Sequence, residues 1–162
     1  MERWFRREPR AVWRYVAIII LAWAFCQLWS YVTTLIRGLP FSNDTHMFKD
    51  GLRWTTVATY VIIGPFLEEV QYRMPLAFFA RWTNDFRALV LYSVLSSIWF
   101  GEAHHQGGFY AIFYHGSIGF LLCVTFLKFG GANGKFERPL LLNIVIHSGW
   151  NLSVLMSNYL SR

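Results

Sequence analysis

Apolar residues run along this chain in blocks near 20 residues long, separated by short polar or glycine-bearing segments. A block of that length is what an α-helix needs to cross the hydrocarbon core of a bilayer. The blocks run from about Tyr15 to Ile36, Leu52 to Ala80, Phe86 to His105, Phe109 to Leu127 and Pro139 to Tyr159. Gly107 and Gly108 follow the third, and Pro139 suits the first turn of the last. Gly64, Pro65 and Pro75 lie inside the second, where proline removes a backbone donor and crowds the preceding turn. The pattern predicts an all-α polytopic membrane bundle of about five transmembrane helices, one of them bent or broken at Pro65/Pro75. No internal repeat divides it, so residues 1–162 read as a single membrane domain.

Polar residues inside the blocks are the candidate chemistry. The stretch "GPFLEEVQYRMP" puts Glu68, Glu69 and Arg73 into the second block. Each charge near a bilayer centre costs roughly 2.5–3.5 kcal/mol, so something must offset all three. Glu69 and Arg73 are four apart, with the acid on the N-terminal side, the favourable order for an intrahelical ion pair. Glu68 is rotated about 100° from Glu69 and has no such partner. In the third block "FGEAH" sets His104 one turn after Phe100, and in the last "HSGWN" sets His147 and Asn151 on one helix face. Of the other histidines, His105 and His115 read as interfacial or packing residues and His46 as a loop residue. Glu102 is rotated about 200° from His104, toward a neighbour or the membrane surface.

Composition agrees with a membrane protein: 55% hydrophobic and 19% aromatic. The net charge of +6 does not argue for nucleic acid, because the basic residues flank the apolar blocks. They weight the N-terminal head, the segment near Arg81 and Arg87, and that from Lys128 to Arg138. By the positive-inside rule the N-terminus is cytoplasmic. The head "MERWFRREPRAVWR" with "AIIILAWAF" imitates a signal peptide, but the apolar run continues and suits a retained anchor better. Cys26 and Cys123 both lie in apolar runs and imply no disulfide framework.

Three motifs in order, "EEVQYR", "FGEAH" and "HSGWN", resemble the Glu-Glu-x-x-x-Arg, Phe-x-x-x-His and His-x-x-x-Asn signatures of the CPBP family of intramembrane endopeptidases. These are the CAAX proteases and the bacteriocin-processing, Abi-type enzymes. The resemblance covers about residues 62–152. It departs at Met74 and Pro75, where glycine usually follows the arginine, and at Glu102, where an apolar residue is usual.

The resemblance implies that Glu68 is the base that polarises a water, helped by His104. His147 and Asn151 would hold the oxyanion, Glu69 and Arg73 would brace the site, and Phe100 would pack against it. It implies a membrane-anchored protein or peptide as substrate and the lipid bilayer as surroundings. No cofactor is expected. The alternative is a zinc-dependent version of the same peptidase, since two histidines and a carboxylate suffice for a catalytic zinc site. Against zinc, no HExxH helix motif is present and Asn151 would be an unusual ligand. Two other classes fit intramembrane ionisable residues: a proton-coupled transporter and a non-catalytic binding or immunity protein. On straight helices, His147 would lie roughly 12 Å from the inner end of its span and His104 about 25 Å, so a shared site requires tilt or a shift in depth.

Overall fold

The structure of the protein, a computed structural model, describes residues 2–9, 11–37, 53–83, 85–104 and 109–160. The polar segment that includes His46, and His105 with Gly107 and Gly108, lie outside the described residues. Those that are described fold as helices, with no strand among them. In chain order they are α1 (Glu2–Arg6), α2 (Val12–Arg37), α3 (Trp54–Ala58), a π-helical segment (Thr59–Ile63), α4 (Gly64–Trp82), α5 (Phe86–Ala103), α6 (Phe109–Lys128), a 3-10 turn (Gly131–Asn133) and α7 (Glu137–Leu160).

The bundle is widely apolar on the outside and holds a polar cluster within an otherwise apolar core. Leu21, Leu28 and Leu35, seven residues apart on α2, are each more than 60% exposed. Tyr15, Ala22, Cys26 and Thr33 on its opposite face are buried, as are Glu69, Arg73, Asn143 and His147 deeper inside. By length and apolarity, two described helices can cross a membrane, Val12–Ile36 and Glu137–Ser157, and Ile112–Lys128 is a shorter apolar helix. The helices α4 and α5 are more polar: α4 carries Glu68, Glu69 and Arg73, and α5 a line of serines. Those serines are satisfied locally: Ser93 Oγ donates to Leu89 O, Ser97 Oγ to Ser93 O, and Ser96 Oγ crosses to Tyr72 O on α4.

The predicted break in the second span takes a particular form. Pro65 offers no N–H to the carbonyl four residues back, and its ring crowds that turn. The ladder widens to π just upstream, and the Gly64 N–H donates to Thr59 O, five residues back. Pro75, by contrast, sits within α4 without ending it. A π-segment of this kind leaves carbonyls off the regular ladder, and one of them serves the site below. The Asp85 side chain accepts from the Arg87 N–H to start α5.

Close contact between α5 and α6 rests on glycine. A Cβ on Gly101 would lie 2.6 Å from Ile112 Cα and 3.0 Å from Gly116 N, so the two backbones touch where only hydrogen fits. This sets Phe100 and His104, on either side of Gly101, directly against α6.

At the other end, the basic head forms α1 and lies across the α6–α7 connection. Lys128 Nζ donates to the Trp4 and Arg7 carbonyls, Arg6 to Ala132 O, and Asn133 Nδ2 to Arg6 O. Lys135 pairs with Glu8 at 2.8 Å. Burial pushes the Glu8 carboxyl up, but the bonds from Lys135 and Asn133 outweigh it and hold the group below its ordinary value. Arg81 Nε reaches Gly134 O from the end of α4. Basic segments far apart in sequence therefore meet at one end of the bundle.

Candidate active site

Glu69 is the centre of the polar interior. It leaves α4 toward α7 and is fully buried. A carboxylate only accepts hydrogen bonds, so its neighbours are donors. Asn143 Nδ2 donates to Oε2 at 3.0 Å, and His147 Nδ1 donates to Oε1 at 3.0 Å. Arg73 Nε lies 3.5 Å from Oε2, the i,i+4 pair expected from the spacing. Asn143 is itself fixed: its Oδ1 accepts from Thr125 Oγ1, and its Nδ2 also donates to Leu122 O. The Arg73 guanidinium lies over the rings of Tyr72 and Phe100, at 5.9 and 5.5 Å. Paired and enclosed by aromatic faces, the charges that the sequence places in a lipid span become tolerable there.

Glu68, the residue before Glu69, keeps 30% of its side chain exposed. Its Oε2 lies 3.5 Å from His147 Nε2. That is longer than the roughly 2.7–2.9 Å of a direct charge-assisted bond. Glu68 Oε2 takes no hydrogen bond from any described residue. His147 thus stands between the two glutamates, its Nδ1 held by Glu69 and its Nε2 turned to Glu68. The imidazole directly beside Glu68 is that of His147.

His104 caps α5, with Nδ1 2.7 Å from Phe100 O. A carbonyl can only accept, so Nδ1 carries the proton and Nε2 is left as the basic nitrogen. Phe100 joins the two histidines, with ring centroids 4.7 Å from His104 and 5.9 Å from His147. The depth mismatch expected from straight helices is narrowed here. Ser96 is level with Tyr72, and side chains on α5 lean toward its N-terminus. Phe100, one turn on from Ser96, therefore falls against Arg73 and His147. Asn151, one turn beyond His147, donates to Tyr60 O at 2.9 Å, a carbonyl of the π-segment.

Glu68, Glu69, Arg73, Phe100, His104 and His147, from three helices, thus form one connected cluster, with Asn151 bonded to the π-segment one turn beyond His147. The family model of the type II CAAX prenyl endopeptidase Rce1-like proteins matches residues 50–153, from just before α3 to within α7, and includes each of them. The chain belongs to this family. It is a membrane-embedded protease family, so the chain is a CAAX-type intramembrane protease. Searches of curated proteins and of solved structures returned no match. The match leaves out α1 and α2, yet α2 is tied to the matched region. Ser30 Oγ bonds Tyr114 OH, Tyr110 OH donates to Thr33 O, and Gln27 Nε2 donates to Ser153 Oγ.

Sequence reasoning passed over Asn143 and Thr125. An asparagine four residues before His147, within "LLLNIVIH", is a signal of the same kind as Asn151 four residues after it. Among the described residues no group of three or more His, Cys, Asp or Glu side chains is placed to hold a metal ion.

Proposed function

We propose that the protein is a glutamic-type intramembrane endopeptidase that cuts a membrane-anchored protein or peptide using Glu68 and the two histidines. The observation that carries this reading is the Glu68–His147–Glu69 arrangement, set among helices whose outer faces are apolar. Glu68 takes a proton from water as the oxygen attacks the scissile carbonyl, then returns it to the departing amine. The result is one carboxyl and one amine terminus. His104, with Nδ1 committed to Phe100 O, offers Nε2 to orient the water. His147 and Asn151 donate to the oxyanion of the tetrahedral intermediate. Donation from His147 Nε2 requires the doubly protonated ring, flanked by Glu69 on one side and Glu68 on the other. Glu69, Arg73 and Phe100 hold these groups in place.

The membrane reading extends to topology. The clasp of α1, Arg81 and Lys135 gathers basic residues at one end, which supports a multi-pass protein with a cytoplasmic N-terminus. The test uses purified protein in detergent, a farnesylated CAAX peptide and its unprenylated counterpart, with new termini read by mass spectrometry and metal by elemental analysis. Cleavage by metal-free protein, unaffected by chelator, is expected. Stoichiometric zinc, with activity lost to chelator and restored by adding it, would overturn the glutamic assignment.

Asn151 allows a sharper check. Removing one oxyanion donor typically lowers kcat about 100- to 1,000-fold. Asn151→Ala should do this with KM little changed, because the interaction matters most in the transition state. The bond to Tyr60 O favours a second reading, in which Asn151 only anchors the π-segment. That reading predicts a lower melting temperature with kcat unchanged in the folded fraction.

A further inference from the structure

We infer that His115, on α6, is a positioning residue whose ring face, stacked on His104, fixes the direction in which His104 Nε2 points. The inference rests on the role proposed for His104. The two imidazoles lie 4.3 Å apart between centroids, with planes only 18° from parallel. This approach depends on Gly101 and Gly116, which bring α5 and α6 together; His115 precedes the second of these, and His104 lies three residues after the first.

His104 is constrained in two ways. Its Nδ1 bond to Phe100 O fixes one edge of the ring, and Phe100 touches it at 4.7 Å with planes tilted by 45°. A single hydrogen bond at an edge still allows the ring to swing about that edge. The flat contact with His115 blocks the swing. His115 is in turn held edge-on by Tyr114 at 4.9 Å and Trp150 at 6.3 Å. Tyr114 is anchored by its hydroxyl to Ser30 of α2. A helix outside the family match therefore supports the ring that supports His104. Nothing in the reaction requires His115 to touch substrate. A misplacement near 1 Å can cost about a hundredfold in rate, so a support of this kind matters.

The experiment compares His115→Leu, His115→Gln and His115→Phe with His104→Ala, measuring kcat, KM and melting temperature on the same peptide. Leucine and glutamine remove the flat face, and should lower kcat by roughly ten- to a hundredfold with KM within about twofold. Phenylalanine keeps the face without the nitrogens and should retain at least about half of the parental kcat, on the strength of aromatic stacking alone. If the leucine variant does not fold, the glutamine variant carries the comparison. Parental kcat in the folded leucine or glutamine variant would overturn the inference. So would a phenylalanine variant as impaired as they are, since the nitrogens would then be what matters. Activity retained in His104→Ala would instead remove His104 from the mechanism, a separate failure.

Discussion

Glu68→Gln should yield a folded protein that no longer cuts peptide bonds. Glutamine keeps the size and shape of the side chain but cannot accept a proton from water. Proton transfer by a positioned group typically contributes about 10²–10⁴-fold, and a loss of that order in kcat is expected. Stability should scarcely change, because Glu68 is the partly exposed member of the glutamate pair and takes no hydrogen bond at Oε2 from any described residue. The measurements are product formation on the farnesylated peptide and thermal melting in detergent. Parental turnover would remove Glu68 as the base. Product formation by the parental protein separates a peptidase from a binding protein or a proton-coupled transporter, neither of which would form any.

The contrast between legible and illegible features follows from the physics of each. Helix limits were readable to within two or three residues because bilayer thickness imposes a length on each apolar block. The Glu69–Arg73 pair was readable because it is local, set by one turn of a single helix. Contacts between helices were not. His147 reaches Glu68 and Glu69 because of how α7 lies on α4, and spacing within one helix carries no information about that. The π-segment was visible only as a proline-induced disturbance, since Pro65 shows that a donor is missing but not how the ladder closes around the gap. The head read as a basic flank, and its folding into α1 depends on Lys128 and Asn133, more than 120 residues away. His115 read as an interfacial or packing residue, and its stack on His104 depends on Gly101 and Gly116, which let two backbones meet.

Glu69→Ala should be the most destabilising single change in the interior. It strips the acceptor from His147 Nδ1 and leaves the Arg73 guanidinium fully buried with no counter-charge beside it. The Arg73 terminal nitrogens have no hydrogen-bond partner among the described residues, so nothing nearby replaces the carboxylate. Breaking a buried pair by deleting one partner costs about 3–5 kcal/mol, a large part of the stability of an ordinary domain. Folded yield and melting temperature in detergent should both fall sharply. The double variant Glu69→Leu with Arg73→Met tests whether stranded charge is the cause. Replacing both partners by apolar groups of similar volume is often neutral or stabilising, so this variant should recover most of the lost melting temperature. Its activity should remain low, because His147 would still lack the acceptor that holds Nδ1 and turns Nε2 toward Glu68. A double variant no more stable than Glu69→Ala would mean that the Asn143 and His147 bonds, and not the Arg73 charge, are what Glu69 sustains.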